Sequence, residues 1–429
     1  MNLFLTTLGC RLNEAEIATW STELKNEGHD VVALPDEADV VVVNTCAVTH
    51  EATRKSRKLV GSLHRKNPKA KIVVTGCFAT LDAQKSAELE GVDLVVSNRD
   101  KDSLVQTIGQ KIVLDNAPSR WSRPGKTNLV QLDHNPKTRR FIKVQDGCRN
   151  QCSFCIVTSL RGEEKSRTED DIVEEIDLAY AMGQKEVVLT GVHLGGYGHD
   201  LGTTLSDLVR NILNRTKIPR LRLSSLEPWD LPKDFATLWQ SPRLMPHLHL
   251  PLQSGCDATL KRMARRCMVK SYKKLVDSIR ANVPDVSITT DLIVGFPGET
   301  DEEWNQTMAT VESIGFSDMH IFTYSPREGT KAASLPDKVP HDVAKKRSKA
   351  MHAMANDMKQ AFLKKNLDTM RSVLWEKQTV DQDGFSILSG YSDNYFRARR
   401  RVKSSSDFRG TVEGLRVKSY SDNGQLHFG

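Results

Sequence analysis

The segment FIKVQDGCRNQCSFC, residues 141–155, joins a short apolar stretch to a loop with three cysteines in a CxxxCxxC pattern. Three thiolates on one short loop can ligate three irons of a cubane cluster and leave the fourth iron open to a small molecule. A structural zinc site prefers four ligands, usually in CxxC pairs, and no fourth ligand of that kind lies nearby in the sequence. Cys148, Cys152 and Cys155 therefore favour an iron–sulfur cluster over zinc or three unlinked cysteines.

The region around this loop, residues 139–365, alternates apolar stretches with helical ones such as Glu169 to Met182 and Asp301 to Ile314. This alternation predicts a partial (β/α)6 barrel whose active site lies at the carboxyl ends of the strands. A basic helix from Val343 to Lys365 closes the domain. The predicted strands are RRFIKVQ (139–145), KEVVLTG (185–191), RLRLSS (220–225), MPHLHLPL (245–252), VSITTDLIVGF (286–296) and MHIFTYS (319–325).

The first 112 residues show a second α/β pattern, which predicts a Rossmann-like domain with a largely parallel sheet. Helices are expected at residues 13–26, 49–66, 80–89 and 101–109. The predicted strands are LFLTTL (3–8), DVVAL (30–34), DVVVVN (39–44), KIVVTG (71–76) and DLVVS (93–97).

Three cysteines of this first domain, Cys10, Cys46 and Cys77, each follow an apolar strand directly. The carboxyl ends of parallel strands meet at one edge of a sheet, so these thiols can converge on one site. A single buried cysteine is usually a packing residue. Three at the same position relative to their strands favour a second iron–sulfur site, whereas Cys256 and Cys267 lack such a context and are expected to be packing or surface residues.

The remaining sequence predicts a linker at 113–138, with Pro118, Pro124 and Pro136, and a small β-barrel at 366–429. The barrel strands are expected at RSVLWE (371–376), GFSILSGYS (384–392), YFRARR (395–400) and TVEGLRVKSYS (411–421).

Length and composition limit the kind of protein. A chain of 429 residues with 38% hydrophobic and 27% charged residues holds about three domains, which excludes a disulfide-stapled mini-protein, a disordered chain and a membrane-embedded one. The N-terminus lacks the features of a secretory signal, so we expect a reducing, cytoplasmic location.

The net charge of +7 is concentrated in three places. Eight basic residues and no acid lie at 53–71, seven basic residues against two acids lie at 341–365, and RARRR occupies 397–401. Any one of these clusters is usually a solvated face. Three of them together favour a nucleic-acid partner.

From the CxxxCxxC loop onward, the sequence resembles the radical S-adenosylmethionine superfamily, and within it the methylthiotransferase family. The terminal segment resembles the TRAM module of that family. The motifs that carry the resemblance span nearly the whole chain: TLGCRLNEAE (7–16), NTCAVTHEA (44–52), VVTGC (73–77), DGCRNQCSFCIV (146–157), LTGVHLGGYG (189–198), RLSSLEP (222–228), HLHLPLQSG (247–255), DLIVGFPGE (291–299) and FTYSPREGT (322–330).

Within the family, the chain is most similar to the branch that converts threonylcarbamoyladenosine at position 37 of tRNA to its 2-methylthio derivative. The alternatives are isopentenyladenosine at the same position, an aspartate of a ribosomal protein and, from another class, a non-catalytic iron–sulfur or zinc RNA-binding redox sensor.

The resemblance implies two [4Fe-4S] clusters and S-adenosylmethionine as methyl donor and radical source. It assigns sulfur insertion to the cluster at Cys10, Cys46 and Cys77 and S-adenosylmethionine cleavage to the one at Cys148, Cys152 and Cys155. It also implies a tRNA anticodon stem-loop as partner and an electron donor such as a flavodoxin or ferredoxin, and it leaves the sulfur source unidentified.

By the same resemblance, Gly191 lies near the methionyl group, Glu227 binds the ribose hydroxyls, and Gly295, Phe296 and Pro297 approach the adenine. Gly191 as a simple turn residue and Glu227 as a helix cap remain open alternatives.

RNA contact is expected at Arg397, Arg399, Arg400 and Arg401, with Tyr391, Tyr395 and Phe396 as stacking platforms or barrel core. His247 and His249 face the same side of one strand and are expected to be interior histidines. Arg327 is either near an anion or structural.

Overall fold

The computed structural model describes residues 1–113 and 137–429, which form two compact units. The first unit contains residues 1–113, 146–150 and 155–164, and the second contains 137–145, 151–154 and 165–429. The predicted domain boundaries at 1–112, 139–365 and 366–429 stay predictions, and most of the predicted linker lies outside the described residues.

The first unit is built on a five-stranded sheet in the order β2-β1-β3-β4-β5, and all its pairings are parallel. Every residue of its central strand is buried, as expected for a strand covered on both faces. The predicted strand at 30–34 is shorter than expected. The strands are β1 (Asn2–Thr7), β2 (Asp30–Val31), β3 (Val40–Thr45), β4 (Lys71–Gly76) and β5 (Val92–Val96).

Helices cover this sheet, and their boundaries follow side-chain caps. The Thr49 hydroxyl accepts a hydrogen bond from the Ala52 N–H and starts the second helix. The Asp82 side chain caps in the same way, which divides the single helix predicted at 80–89 into two. The helices of this unit are α1 (Arg11–Asn26), α2 (His50–Lys66), α3 (Cys77–Leu81), α4 (Ala83–Ala87), α5 (Leu104–Ile108) and α6 (Val157–Arg161).

The second unit contains the predicted partial barrel. A sheet in the order β7-β6-β8-β9 and a sheet in the order β10-β11-β12 are linked by parallel bridges such as Ser225 to His249. The strands are β6 (Arg139–Asp146), β7 (Lys165–Ser166), β8 (Glu186–Gly191), β9 (Arg220–Leu223), β10 (His247–His249), β11 (Ser287–Val294) and β12 (Asp318–Thr323). The helices are α7 (Glu169–Ala181), α8 (Leu205–Arg215), α9 (Asp257–Arg262), α10 (Val269–Asn282), α11 (Asp301–Ile314) and α12 (His341–Lys365).

A closed five-stranded barrel completes the second unit, in the order β13-β14-β15-β17-β16. Trp375, Leu388 and Phe396 lie in its core. The strands are β13 (Met370–Val380), β14 (Ser386–Ser392), β15 (Arg397–Val402), β16 (Val412–Tyr420) and β17 (Gln425–Phe428). The predicted fold class is confirmed: a parallel-sheet domain, a partial (β/α)6 barrel and a small β-barrel.

Buried arginines attach the small barrel to the parallel strands. Arg220 and Arg222 both pair with the buried carboxylate of Glu186, at 2.8 and 3.0 Å. Arg220 also donates to the Ser372 carbonyl at 3.0 Å, and Arg222 donates to the Asp393 carbonyl at 3.0 Å. This ionic group therefore joins β8 and β9 to two places in the terminal barrel: strand β13, through Ser372, and the residue after β14, Asp393.

Across residues 1–113 and 137–429, no helix combines the length and apolar content that crossing a bilayer requires.

Candidate functional site

The structure places Cys10, Cys46 and Cys77 at the carboxyl ends of three adjacent strands. Cys10 lies in the loop after β1, Cys46 directly follows β3, and Cys77 begins α3 directly after β4. These strands are neighbours and parallel in the sheet. The three thiols therefore lie along the same edge of the first unit, as the sequence predicts.

Two glycines let these loops come close together. Gly9 has a φ of +123°, and a Cβ built on it lies 3.1 Å from the Cys46 Sγ atom. Gly76 has a φ of +93°, and a Cβ there lies 2.4 Å from the Asn44 Oδ1 atom and 2.5 Å from the Thr45 carbonyl oxygen. Any side chain at either position collides with the neighbouring strand end, so the close approach of the cysteines depends on glycine.

Two asparagines hold the cysteine loops by hydrogen bonds. The Asn13 amide donates to the carbonyls of Leu8 and Thr45 at 2.9 and 3.3 Å, and its oxygen lies 3.6 Å from the Cys10 thiol. The Asn98 amide lies 3.8 Å from the Cys77 Sγ atom. Neither residue is predicted from the sequence as part of the site, although Asn13 belongs to the TLGCRLN motif.

The surroundings of Cys46 oppose the ionisation of its thiol. Burial raises the pKa of the Cys46 thiol, the N–H of Val48 opposes this increase, and Cys77 and Cys10 add to it. Thiols that resist ionisation in isolation lose their protons when they ligate a metal ion. Three thiols on one sheet edge fit an iron–sulfur cluster.

A buried ionic group lies beside these thiols in the first unit. Lys101 pairs with Glu16 at 2.5 Å and with Asp146 at 2.6 Å, and Arg161 pairs with the same two carboxylates at 3.0 and 3.2 Å. Arg161 also donates to the Asn13 oxygen at 3.0 Å, next to the Cys10 thiol. The Arg161 cation acts on Cys10 by Coulomb attraction, so this cysteine edge lies next to a fixed positive charge.

The CxxxCxxC loop lies between β6 and α6. A Cβ on Gly147, at a φ of +73°, lies 1.8 Å from the Glu163 carbonyl oxygen, so the motif must begin with glycine. The N–H of Cys148 donates to the Gly162 carbonyl at 3.1 Å, and the Cys155 Sγ atom accepts from the Val157 N–H at 3.4 Å.

Arg265 connects Cys152 to Glu227. Its guanidinium lies 3.7 Å from the Cys152 Sγ atom, donates to a Glu227 carboxylate oxygen at 2.7 Å, and lies 4.3 Å from the Trp229 ring centroid. Glu227 stands at the N-cap position of the turn at Pro228–Asp230, but its side chain makes no capping hydrogen bond there. Its predicted role toward the ribose hydroxyls stays a prediction. Nothing in the sequence distinguishes Arg265 from the neighbouring arginines of RMARRC.

Gly191 is the last residue of β8 and packs closely against Gln145. A Cβ built on Gly191 lies 2.9 Å from the Gln145 Oε1 atom. Gly295, at a φ of +74°, packs against α12, where a Cβ lies 2.7 Å from the Ala344 Cβ atom. Close packing explains both glycines, and their predicted roles beside S-adenosylmethionine stay predictions.

The Phe296 ring is completely buried and contacts Tyr324 edge to face, at 5.2 Å between centroids. The Pro297 carbonyl accepts a hydrogen bond from Arg262 at 3.2 Å. Phe296 is thus a packing residue in this structure, and the predicted approach of Phe296 and Pro297 to the adenine stays a prediction.

The four predicted RNA-binding arginines of β15 have different surroundings. Arg400 pairs with Glu413 at 3.3 Å, and Arg401 pairs with Asp381 and Asp383 at 2.8 and 2.7 Å. Arg397 and Arg399 are exposed, and within the described part of the chain neither has an acidic partner at ion-pair distance.

The predicted stacking platforms are used inside the molecule. Tyr395 stacks on Tyr391 at 5.0 Å and lies against His247 at 4.7 Å, and Arg222 lies 4.5 Å from its centroid. Phe396 is in the barrel core. The barrel-core alternative is confirmed for Phe396, whereas Tyr391 and Tyr395 pack on cations and rings of the same unit, and their contact with RNA stays a prediction.

Comparison with known proteins identifies the family. The threonylcarbamoyladenosine tRNA methylthiotransferase MtaB of Thermotoga maritima is 36% identical over 435 residues, which cover 98% of this chain and 95% of that protein. The chain belongs to the radical S-adenosylmethionine methylthiotransferase family. A second relative of this methylthiotransferase, the tRNA-2-methylthio-N(6)-dimethylallyladenosine synthase of Oceanobacillus iheyensis, is 32% identical over 98% of this chain and 83% of its own length.

Two family descriptions match the methylthiotransferase chain: uncharacterized protein family UPF0004 at residues 2–97, and the radical SAM superfamily at residues 142–311. Among solved structures, the radical S-adenosylmethionine methyltransferase TsrM of Kitasatospora setae aligns with a TM-score of 0.56 at 15% identity, over 77% of each chain. That likeness concerns the fold. The CxxxCxxC motif lies inside the second match and the other cysteine triplet inside the first.

Proposed function

We propose that this methylthiotransferase installs a methylthio group at C2 of N6-threonylcarbamoyladenosine, at position 37 of tRNA. The observation that carries the proposal is the second cysteine triplet, in which Cys10, Cys46 and Cys77 follow three adjacent strands of the first unit. One CxxxCxxC loop serves radical chemistry alone. A separate triplet, at the carboxyl ends of β1, β3 and β4, supplies the second thiolate set that sulfur insertion requires.

The implied cofactors fit the side chains that are present. Cys148, Cys152 and Cys155 would hold one [4Fe-4S] cluster, and Cys10, Cys46 and Cys77 would hold the other, each with three thiolates and one open iron. When bound, S-adenosylmethionine would supply the methyl group and a radical able to break an unactivated aromatic C–H bond, and the cluster at Cys10, Cys46 and Cys77 would carry or donate the sulfur.

The residues of the chain position these groups. Arg265 donates to Glu227 and lies beside Cys152, so it fixes a carboxylate that can accept hydrogen bonds from ribose hydroxyls next to a cluster ligand. In the first unit, Arg161 places a buried positive charge next to Cys10. A fixed cation favours electron-rich sulfur ligands near it and needs no reorganisation during the reaction.

The tRNA partner is supported by exposed Arg397 and Arg399 on the terminal barrel. Phosphate contacts of this type position the RNA without reading its sequence. We extend the proposal to an anticodon stem-loop as the bound element, to a flavodoxin or ferredoxin as electron donor and to a cytoplasmic location.

One alternative substrate has a specific observation in its favour. The Oceanobacillus iheyensis relative is named for dimethylallyladenosine and covers nearly the whole chain at 32% identity. The higher identity of 36% to the Thermotoga maritima protein supports threonylcarbamoyladenosine.

Nucleoside analysis tests the proposal. A strain that lacks this gene is complemented with the wild type, with Cys46→Ala, with Cys152→Ala, or with Cys267→Ala as a matched control outside both triplets. We expect 2-methylthio-threonylcarbamoyladenosine in tRNA only with the wild type and the control. Its presence in the uncomplemented deletion, or its production by Cys46→Ala, would contradict the proposal.

A further inference from the structure

Three polar side chains meet on the face of the β10-β11-β12 sheet that lies opposite the helices. His249 is paired with Thr289, and Asp291, two residues further along β11, is paired with His320. Residues two apart on a strand point to the same face, and so do paired residues. The intervening side chains, such as Ile288 and Leu292, belong to the hydrophobic core on the other face.

Both imidazole rings are directed at the same carboxylate oxygen. The Nε2 atom of His249 lies 3.2 Å from the Asp291 Oδ1 atom, and the Nδ1 atom of His320 lies 3.1 Å from it. The other ring nitrogen of His249 is 2.8 Å from the Thr289 hydroxyl. The group therefore has a fixed geometry before any ligand arrives. We call His249, Asp291 and His320 the polar triad.

The polar triad is accessible. The side chains of His320, Asp291 and His249 are 65%, 24% and 16% exposed. Burial raises the pKa of Asp291, but hydrogen bonds and Coulomb attraction from His249 and His320 outweigh it and hold the pKa well below its usual value. Asp291 is thus ionised at neutral pH and accepts hydrogen bonds.

The triad lies next to the predicted cofactor residue of the same unit. His249 forms a β-bridge with Ser225, and its carbonyl accepts a hydrogen bond from the N–H of Leu226, the residue before Glu227. At the opposite end of the same strand, the His247 ring is covered by Tyr395. The inner face is therefore closed at His247 and open at the triad, on the side where Glu227 lies.

The geometry points to the polar triad as the site that reads the N6 substituent of the adenosine and selects a hydrogen-bonding threonylcarbamoyl group over an apolar dimethylallyl group. This inference rests on the proposed function. A threonylcarbamoyl group offers N–H and O–H donors to Asp291 and oxygen acceptors to the imidazole N–H groups. An apolar substituent at the same place would remove water from the triad and return no hydrogen bond.

The physical basis is the asymmetry of polar recognition. A site that is built to hydrogen-bond its substrate discriminates strongly against an analogue without those groups, because buried polar side chains are left unpaired. Hydrophobic pockets discriminate far more weakly.

The test compares anticodon stem-loops that carry threonylcarbamoyladenosine, dimethylallyladenosine or unmodified adenosine at position 37. The variants are His320→Phe, Asp291→Asn and, as a control, His352→Phe on the exposed side of α12. For each variant we measure the dissociation constant of each RNA, kcat and KM, and the release of 5′-deoxyadenosine without RNA, which reports intact cofactor sites. Metal content is measured on the same samples.

For His320→Phe and Asp291→Asn, we expect a loss of about 10- to 100-fold in affinity and in kcat/KM for the threonylcarbamoyl RNA, mainly through KM. Binding of the unmodified RNA and 5′-deoxyadenosine release should stay near wild type, and the control should match wild type throughout. The ratio of kcat/KM for the threonylcarbamoyl RNA to kcat/KM for the dimethylallyl RNA should fall in both triad variants.

Two results would overturn the inference. One is unchanged affinity and preference in both triad variants while the wild type modifies threonylcarbamoyl RNA. The other is a stoichiometric zinc ion in the wild type that is lost in His320→Phe, since two imidazoles and a carboxylate are also metal ligands. A wild type that modifies only dimethylallyl RNA would instead contradict the proposed function itself.

Discussion

Gly76 is the residue whose conformation most directly controls the first cysteine edge. Its backbone has a positive φ, and a Cβ there lies 2.4 Å from Asn44 and 2.5 Å from the Thr45 carbonyl. Gly28 has a similar φ of +83°, but a Cβ there meets no atom within 4 Å. Comparing substitutions of Gly28 and Gly76 therefore separates the cost of a left-handed backbone from the cost of a steric clash between the added Cβ and its neighbours.

We predict that Gly28→Ala costs about 1 kcal/mol of stability, the cost of a left-handed alanine. Gly76→Ala should cost at least about 3 kcal/mol and should lower the iron content from about eight to about four atoms per chain. Thermal unfolding and iron analysis of the two proteins check this. Equal effects of the two substitutions would show that the contact with Asn44 and Thr45 is unimportant.

Substitution of Lys101 tests how much the buried ionic group beside the cysteines contributes to stability. Its side chain is 5% exposed and contacts Glu16 and Asp146. Removing one member of a buried ion pair leaves an uncompensated charge, so Lys101→Met should destabilise the protein by about 3 kcal/mol or more. Lys85→Met is the matched control, because Lys85 is 73% exposed beside Asp82 and should contribute less than about 1 kcal/mol. Urea unfolding measures the free energy of unfolding of both variants. A Lys101→Met protein as stable as the wild type would contradict the prediction.

Residues of this kind also mark the limit of sequence reasoning. Cys10, Cys46 and Cys77 could be predicted because each stands immediately after an apolar strand. Arg161 and Arg265 could not, because their importance depends on contacts with residues far away in the chain, Glu16 and Glu227. Sequence spacing contains no information on such pairings.

At the scale of elements, strand β15 shows how acidic neighbours divide one arginine run into two functions. Arg397, Arg399 and Arg401 are exposed on one face of the strand, but only Arg401 of these three has acidic partners among the described residues. Arg400, on the other face, is paired with Glu413. A paired arginine gains little from a phosphate, because it must first give up its own carboxylate.

We therefore predict that Arg397→Ala combined with Arg399→Ala weakens tRNA binding and lowers the slope of log affinity against log salt concentration by about 2. The matched double variant Arg400→Ala with Arg401→Ala should change the slope less. Filter binding over a range of salt concentrations measures both. An equal loss in the two double variants would show that the ion pairs do not restrict RNA contact.

The helices and strands themselves were largely predictable, because runs of apolar residues bounded by turn residues mark strands such as β3 and β4. The exceptions have local causes. Asp82 caps a new helix inside the predicted helix at 80–89. Tyr391 and Tyr395 match the composition of RNA-stacking platforms but pack on Arg139 and Arg222, a tertiary contact that strand patterns do not contain.

At the scale of the whole molecule, Glu186 links the parallel strands to the terminal barrel. Burial raises its pKa, but Arg222 and Arg220 outweigh this effect and lower the pKa to about 2. Because the pKa in the folded protein lies below the ordinary value of 4.5, the ionised carboxylate stabilises the fold fully above that pH. The contribution is lost as the pH falls from there toward 2.

We predict that Glu186→Gln is less stable than wild type by about 3 to 5 kcal/mol at pH 7 and that this difference shrinks between pH 4.5 and pH 2. Glu51→Gln, on the exposed surface beside Arg54, is the control and should change the profile little. Urea unfolding followed by tryptophan fluorescence at several pH values gives both profiles. A difference that stays constant with pH would contradict the proposed role of the charge.

The central claim is that the chain combines two cysteine triplets and an RNA-binding barrel to methylthiolate threonylcarbamoyladenosine. The most direct measurement is mass spectrometry of nucleosides after the anaerobically reconstituted protein acts on tRNA that carries threonylcarbamoyladenosine, with S-adenosylmethionine and a reductant. We predict conversion to the 2-methylthio nucleoside by the wild type, and 5′-deoxyadenosine release without conversion by a variant with Cys10, Cys46 and Cys77 replaced by alanine. Unchanged threonylcarbamoyladenosine with the wild type, while dimethylallyladenosine tRNA is converted, would contradict the account.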